Sequence, residues 1–129
     1  MCGFGKSGLI AAKISATLSS VGTPSFSWSA SDSSHGDLGS ICKKDILILI
    51  SYSGSTEELK NIIKYANRNK ITLIGIMSKR NSILYKASDI KLLIPEVTEA
   101  GLGIVPTSST INQLSIGDAL AVAALNKKK

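Results

Sequence analysis

Short apolar runs alternate with amphipathic stretches along this chain. The segments 45–51 (DILILIS) and 71–77 (ITLIGIM) are almost unbroken in aliphatic residues. Runs of that length and composition read as strands buried on both faces. Residues 24–29 (PSFSWS) and 90–95 (IKLLIP, stopped by Pro95) read as shorter strands. Between the strands the period changes. In 57–69 Leu59, Ile62, Ile63 and Ala66 share one helical face and leave Lys60, Lys64 and Arg68 outside. Ile10, Ile14, Leu18 and Val21 mark a helix over 6–20; 81–88 reads as a short helix and 109–128 as a long, largely apolar one. Alternation of buried strands with helices predicts a parallel α/β sheet, a three-layer sandwich with helices on both faces. A glycine loop that opens a helix should follow a strand, yet only Met1 and Cys2 precede Gly3. The chain is therefore expected to start inside a truncated first strand, as a fragment of a larger domain.

Composition narrows this picture. At 129 residues the chain is one domain, 43% hydrophobic but only 5% aromatic. Cys2 and Cys42 match no metal-ligand spacing, so no metal is expected, and two free thiols suit a reducing cytoplasm. No apolar run approaches the ~20 residues of a membrane span, and no membrane partner is expected. The net charge is +6, part of it in Lys127, Lys128 and Lys129, which read as a solvated, frayed end. Aromatic residues are not interleaved with the basic ones, which argues against a nucleic-acid partner. A mild positive field suits small anionic substrates.

The chemistry gathers where ligands bind in such sheets, in the loops after the strands. The first loop, CGFGKSG (2–8), ends like a P-loop in Gly5-Lys6-Ser7, but the first glycine of that motif would fall before residue 1. Gly3, Gly5 and Gly8 also fit the dinucleotide spacing, which wants an acidic residue ending the second strand; Asp32 is late and set among serines. A tight strand-to-helix turn explains the glycines without explaining Lys6. The second loop, SYSGSTEEL (51–59), joins a buried strand to an amphipathic helix. Ser51, Ser53, Ser55 and Thr56 supply hydroxyls, Gly54 permits a sharp turn, and the free N–H groups of the helix complete a phosphate site. Capping by Ser55 or Thr56 would explain one or two of these residues, not the row. The third loop, VPTSSTINQ (105–113), repeats the design with Thr107, Ser108, Ser109 and Thr110 before a helix. Three titratable groups stand near these loops: His35, the only histidine, in SSHGDLG; Glu58, one turn into the second-loop helix; and Glu99, in EVTEAGLG. Such a set beside a phosphate suits proton transfer next to a carbonyl, with a lysine steadying the enediolate oxygen.

GFGKSG, HGDLG, SYSGSTEE and PTSST…GDALAVA, in this order, resemble the sugar isomerase (SIS) domain of the bacterial arabinose-5-phosphate isomerases over essentially the whole chain. The resemblance implies a five-stranded parallel sheet, a homotetramer, no cofactor, and interconversion of D-ribulose 5-phosphate and D-arabinose 5-phosphate for Kdo and lipopolysaccharide synthesis. It implies Lys6, His35, Glu58 and Glu99 as catalytic residues, and Gly5, Ser7, Ser51, Ser53, Thr56, Thr107 and Ser108 as sugar-phosphate contacts. The chain departs from the family in EAGLGIVPT, where the family often writes EACPLGLAPT. The N-terminal helices, a second active-site histidine and the CBS modules of the family have no counterpart here. A non-catalytic sugar-phosphate sensor built on the same domain is the alternative.

Overall fold

The computed structural model describes residues 1–31 and 36–128. Five parallel strands form one sheet: β1 (Cys2–Gly3), β2 (Trp28–Ser29), β3 (Ile46–Ile50), β4 (Thr72–Met77) and β5 (Ile90–Leu93), in the order β2-β1-β3-β4-β5. The helices are α1 (Lys6–Ser20), α2 (Leu59–Arg68), α3 (Ile83–Ala87) and α4 (Ser108–Asn126). A 3-10 turn spans Asp37–Ser40.

The side-chain period of two sorts each strand between two cores. Leu47, Leu49, Leu73 and Met77 pack with Leu59, Ile62, Ile63 and Ala66 of α2 and Leu84 of α3. Ile48, Ile50, Ile74 and Ile76 pack on the other face with Ala11, Ile14 and Leu18 of α1 and Ala121 of α4. Each fully buried Ile or Leu contributes roughly 1.5–3 kcal/mol. An exposed pair such as Lys13–Asp118, at 2.5 Å, adds about 0–1 kcal/mol. The two aliphatic cores therefore hold the fold, and the surface charges do not.

The expected elements form, α1 over the expected residues, α4 from Ser108, one residue early, and the others shorter at one or both ends. The strand expected over 24–29 is only Trp28–Ser29, because β1 offers two residues to pair with: Cys2 with Trp28 and Gly3 with Ser29. The helix expected from 57 begins at Leu59, since Leu59 and Lys60 donate to the Thr56 and Glu57 carbonyls in a tight i,i+3 turn first. Of the lysine tail, Lys127 and Lys128 are exposed as expected, Lys129 lies outside the described residues, and Lys128 is held in place. The Lys128 ammonium donates to the Gly22 carbonyl and to Thr23 Oγ1 at 2.9 Å, tying the end of α4 to the turn after α1.

α1 and α4 lie close together on one face. The buried residues of α4 are Ser109, Gln113, Gly117 and Ala121, spaced by four. A Cβ on Gly117 would stand 2.1 Å from Ile14 Cδ1, so glycine is what lets the helices approach. That approach sets the start of α4 beside the start of α1. An apolar cavity of about 400 Å³, lined by Met1, Phe26, Trp28, Ile46 and Leu120, opens at the amino ends of the strands, away from the loops described next. Among the described residues no helix is long and apolar enough to cross a membrane.

Candidate functional site

All five strands run parallel, so every loop that follows a strand emerges on one rim of the sheet. The glycine loop after β1, the serine loop after β3 and the 94–107 segment after β5 share that rim. β1 and β3 are neighbours with Gly3 opposite Ile50, which puts Phe4-Gly5 next to Ser51.

The glycine loop turns abruptly into α1. Gly5 takes φ 56° with ψ −127°, a positive-φ conformation open to glycine, and its carbonyl accepts from Gly8 and Leu9 at 3.0 and 3.3 Å. No side chain caps α1. Lys6 is its first residue, exposed, and its ammonium makes no hydrogen bond or ion pair among the described residues. Ser7 Oγ donates to Gln113 Oε1 at 3.2 Å, joining the first turn of α1 to the second turn of α4.

In the serine loop two hydroxyls pair with each other and a third bonds the backbone. Ser51 is buried; its Oγ lies 2.7 Å from Thr56 Oγ1 and accepts from the Gly54 N–H at 3.1 Å. Ser53 Oγ accepts from the Ser55 N–H at 3.3 Å, and both residues are exposed. Gly54 has φ 68°, and a Cβ there would stand 2.3 Å from Ser82 Oγ. Neither Ser55 nor Thr56 caps α2, which carries no side-chain cap at all. The Leu59 and Lys60 N–H groups serve the Thr56 and Glu57 carbonyls, so the donors left open among the described residues at this positive end of the helix dipole are the N–H groups of Thr56, Glu57 and Glu58. Glu58 corrects its expected place: it immediately precedes α2 and is not one turn inside it. It is half-buried and lines a polar cleft of about 320 Å³ with Ser31, Glu57, Lys60, Asn61 and Lys64.

The third loop departs from the phosphate design expected for it. The start of α4 already holds an anion, the carboxylate of Glu99. Its Oε2 accepts from Thr107 N–H at 2.7 Å, Thr107 Oγ1 at 3.1 Å and Ser109 N–H at 3.2 Å. Thr107 Oγ1 in turn accepts from the Ala100 N–H at 2.8 Å. Thr107 thus spends its donors within the protein, and Ser108 opens the helix beside it. The Ser109 and Thr107 donors hold the Glu99 carboxyl down at about 2, from an ordinary 4.5. A folded-state value below the unfolded one stabilises above pH ~4.5, and that stabilisation is lost as pH falls toward 2. Chemical denaturation between pH 5 and 2 should show this acid limb in the parent chain and a flatter one in Glu99→Gln.

Lys6, Ser7 and Glu99 therefore belong to the α1–α4 face of the rim. Ser51, Ser53 and Thr56 stand next to them after β3, and Glu58 lies toward α2. His35 falls outside the described residues. Two residues that the sequence reading missed organise the site. Gln113 is buried at 1% exposure, and its signal was a polar residue in a four-residue stripe with Ser109, Gly117 and Ala121. Tyr52 sits inside the serine motif, and nothing local marks its distant partners. Among the described residues no cluster of three His, Cys, Asp or Glu side chains could hold a metal ion.

Comparison with known proteins agrees with this fold. The SIS domain family model matches residues 1–123. The arabinose 5-phosphate isomerase KdsD of Yersinia pestis is 47% identical over 127 residues, 98% of this chain and 39% of the relative. KdsD of Pseudomonas aeruginosa is 44% identical over the same 98% and 39%. The chain thus spans about two fifths of the length of these curated relatives. A solved structure from Escherichia coli CFT073, in complex with arabinose 5-phosphate, superposes with a TM-score of 0.94 at 40% identity, covering 98% of this chain and 68% of that one.

Proposed function

The chain belongs to the SIS domain family, and we propose that it carries the sugar-phosphate site of an isomerase interconverting D-ribulose 5-phosphate and D-arabinose 5-phosphate. One observation carries this reading: two uncapped helix starts, α1 and α2, open on the same rim, with the unpartnered Lys6 on the first of them. The start of α4 is already neutralised by Glu99. The phosphate then goes to the serine loop, where Ser53, Ser55 and the N–H groups of the turn just before α2 receive it, while the Ser51–Thr56 pair fixes the loop.

The reaction needs a proton moved between neighbouring carbons. A base takes a proton from C1 of the ketose; the C1–H electrons form the C1–C2 double bond, and the C2 carbonyl π pair moves to its oxygen, which takes a proton to complete a cis-enediol. The O1 hydroxyl then gives up its proton as the C1 carbonyl forms, and the double-bond electrons take the same proton, or one from solvent, at C2. Glu58 serves as the carboxylate of this transfer. Lys6 holds the oxygen on which negative charge develops. Glu99 positions the start of α4, because its oxygen is committed to three donors. Relatives named arabinose 5-phosphate isomerase and a structural neighbour solved with that sugar phosphate support the substrate class. The exposed apolar residues Leu102, Ile104 and Val105, in the loop between Glu99 and α4, suit coverage by a second copy in a homotetramer.

Incubation with D-ribulose 5-phosphate in deuterium oxide tests the chemistry. The aldose product should carry deuterium at C2, read by NMR or mass spectrometry. Binding of the sugar phosphate with no aldose formed, labelled or unlabelled, would make the chain a sensor.

A further inference from the structure

The serine loop and the segment that carries Glu99 leave different strands, yet one side chain joins them. Tyr52 lies between Ser51 and Ser53, and its ring packs in the core beneath α1 and α4. Its hydroxyl makes two hydrogen bonds to one residue after β5. It donates to the Val97 carbonyl at 3.2 Å and accepts from the Val97 N–H at 2.8 Å. Both backbone groups of Val97 are thereby satisfied by a single phenol. The same residue is fixed at its other end. The Tyr52 carbonyl accepts from the Ser78 N–H at 2.9 Å and from Ser78 Oγ at 2.7 Å, just after β4.

We infer that Tyr52 is a positioning residue that sets where Glu99, and through it the start of α4, stands relative to the phosphate-binding serine loop. The reach of the chain makes the coupling short. Glu99 is two residues beyond Val97, at most about 7 Å along an extended backbone. From Glu99 three hydrogen bonds pass directly to Thr107 and Ser109. From there α4 leads to Gln113, which accepts from Ser7 next to Lys6. Tyr52 thus begins a chain of contacts from the phosphate end of the site to its lysine. Without the phenol, Val97 has no side-chain partner, and the backbone between Ile94 and Glu99 is left to the Lys79–Glu96 ion pair, which is exposed and contributes little. The inference rests on the isomerase reading for its catalytic consequence, but the tether itself can be measured without activity.

Tyr52→Phe is the test, because phenylalanine keeps the ring in the core and removes only the hydroxyl. Backbone amide exchange by NMR should quicken at least tenfold at Val97, which loses its acceptor, and also at Thr107, which bonds Glu99 and never touches Tyr52. Turnover of ribulose 5-phosphate should fall about tenfold while KM stays within twofold, since the serine loop is intact. Unchanged exchange at Val97 overturns the tether. Faster exchange at Val97 with Thr107 unmoved confines Tyr52 to a local structural role and overturns the coupling. In an active parent, unchanged turnover, or a rise in KM in place of a fall in kcat, does the same. A parent chain that binds but does not turn over counts against the isomerase reading alone, and the two amides still decide the tether.

Discussion

A Ser53→Asp variant is expected to bind arabinose 5-phosphate at least a hundredfold more weakly than the parent, with its thermal midpoint unmoved. Ser53 is exposed and bonds only locally, its Oγ accepting from the Ser55 N–H. An aspartate can accept the same bond and is equally at home before a helix, so the fold loses nothing. The phosphate is a different matter. A carboxylate about 5 Å from a phosphate charge, at an effective dielectric near 20, repels it by about 3 kcal/mol. A hundredfold loss corresponds to about 2.7 kcal/mol. Ser53→Ala separates charge from contact: it removes one hydrogen bond, worth about 1 kcal/mol, and should weaken binding roughly fivefold. Titration calorimetry with the sugar phosphate reads both variants. Parent-like affinity in Ser53→Asp would reduce the serine row to a turn.

The parts of this molecule that were legible in its sequence are those governed by local period. Leu59, Ile62, Ile63 and Ala66 are the buried residues of α2, as their spacing predicts. Ile46–Ile50 and Thr72–Met77 form central strands because an aliphatic run buried on both faces has few other homes. The serine loop was legible for a related reason, since a turn glycine and a row of hydroxyls between strand and helix are contiguous. What the sequence hid is non-local. The row Thr107–Thr110 looks like the serine loop, but its anion comes from Glu99, brought back by a turn through Gly101 and Gly103 at φ 66° and 73°. Nothing in the sequence ranks a protein carboxylate above a ligand there. The Tyr52–Val97 bond spans 45 residues and is equally invisible. The inward face of α4 escaped hydrophobic periodicity because it is made of Ser109, Gln113, Gly117 and Ala121, while Ile111 and Val122 point to solvent.

Lys6 separates function from stability more sharply than any other residue. It is the first residue of α1, where the helix dipole presents its positive end, and a cation there costs about 0.3–1 kcal/mol. No carboxylate among the described residues offsets that cost, and no side chain caps the helix. Alanine at this position should therefore leave the thermal midpoint unchanged or slightly raised. Turnover should move the other way. A lysine that steadies a developing enediolate acts mainly in the transition state, and removing one such electrostatic partner typically lowers kcat a hundredfold or more, about 2.7 kcal/mol. Binding of the ground-state sugar phosphate should weaken much less, since the serine loop holds the dianion. Lys6→Arg keeps the charge but replaces a compact ammonium with a planar fork, and should recover only part of the rate. The decisive pattern is a more stable, slower enzyme with near-parental KM. A Lys6→Ala variant that loses stability in proportion to activity would make the lysine structural. One that turns over at the parental rate would leave the enediolate to another donor on the rim.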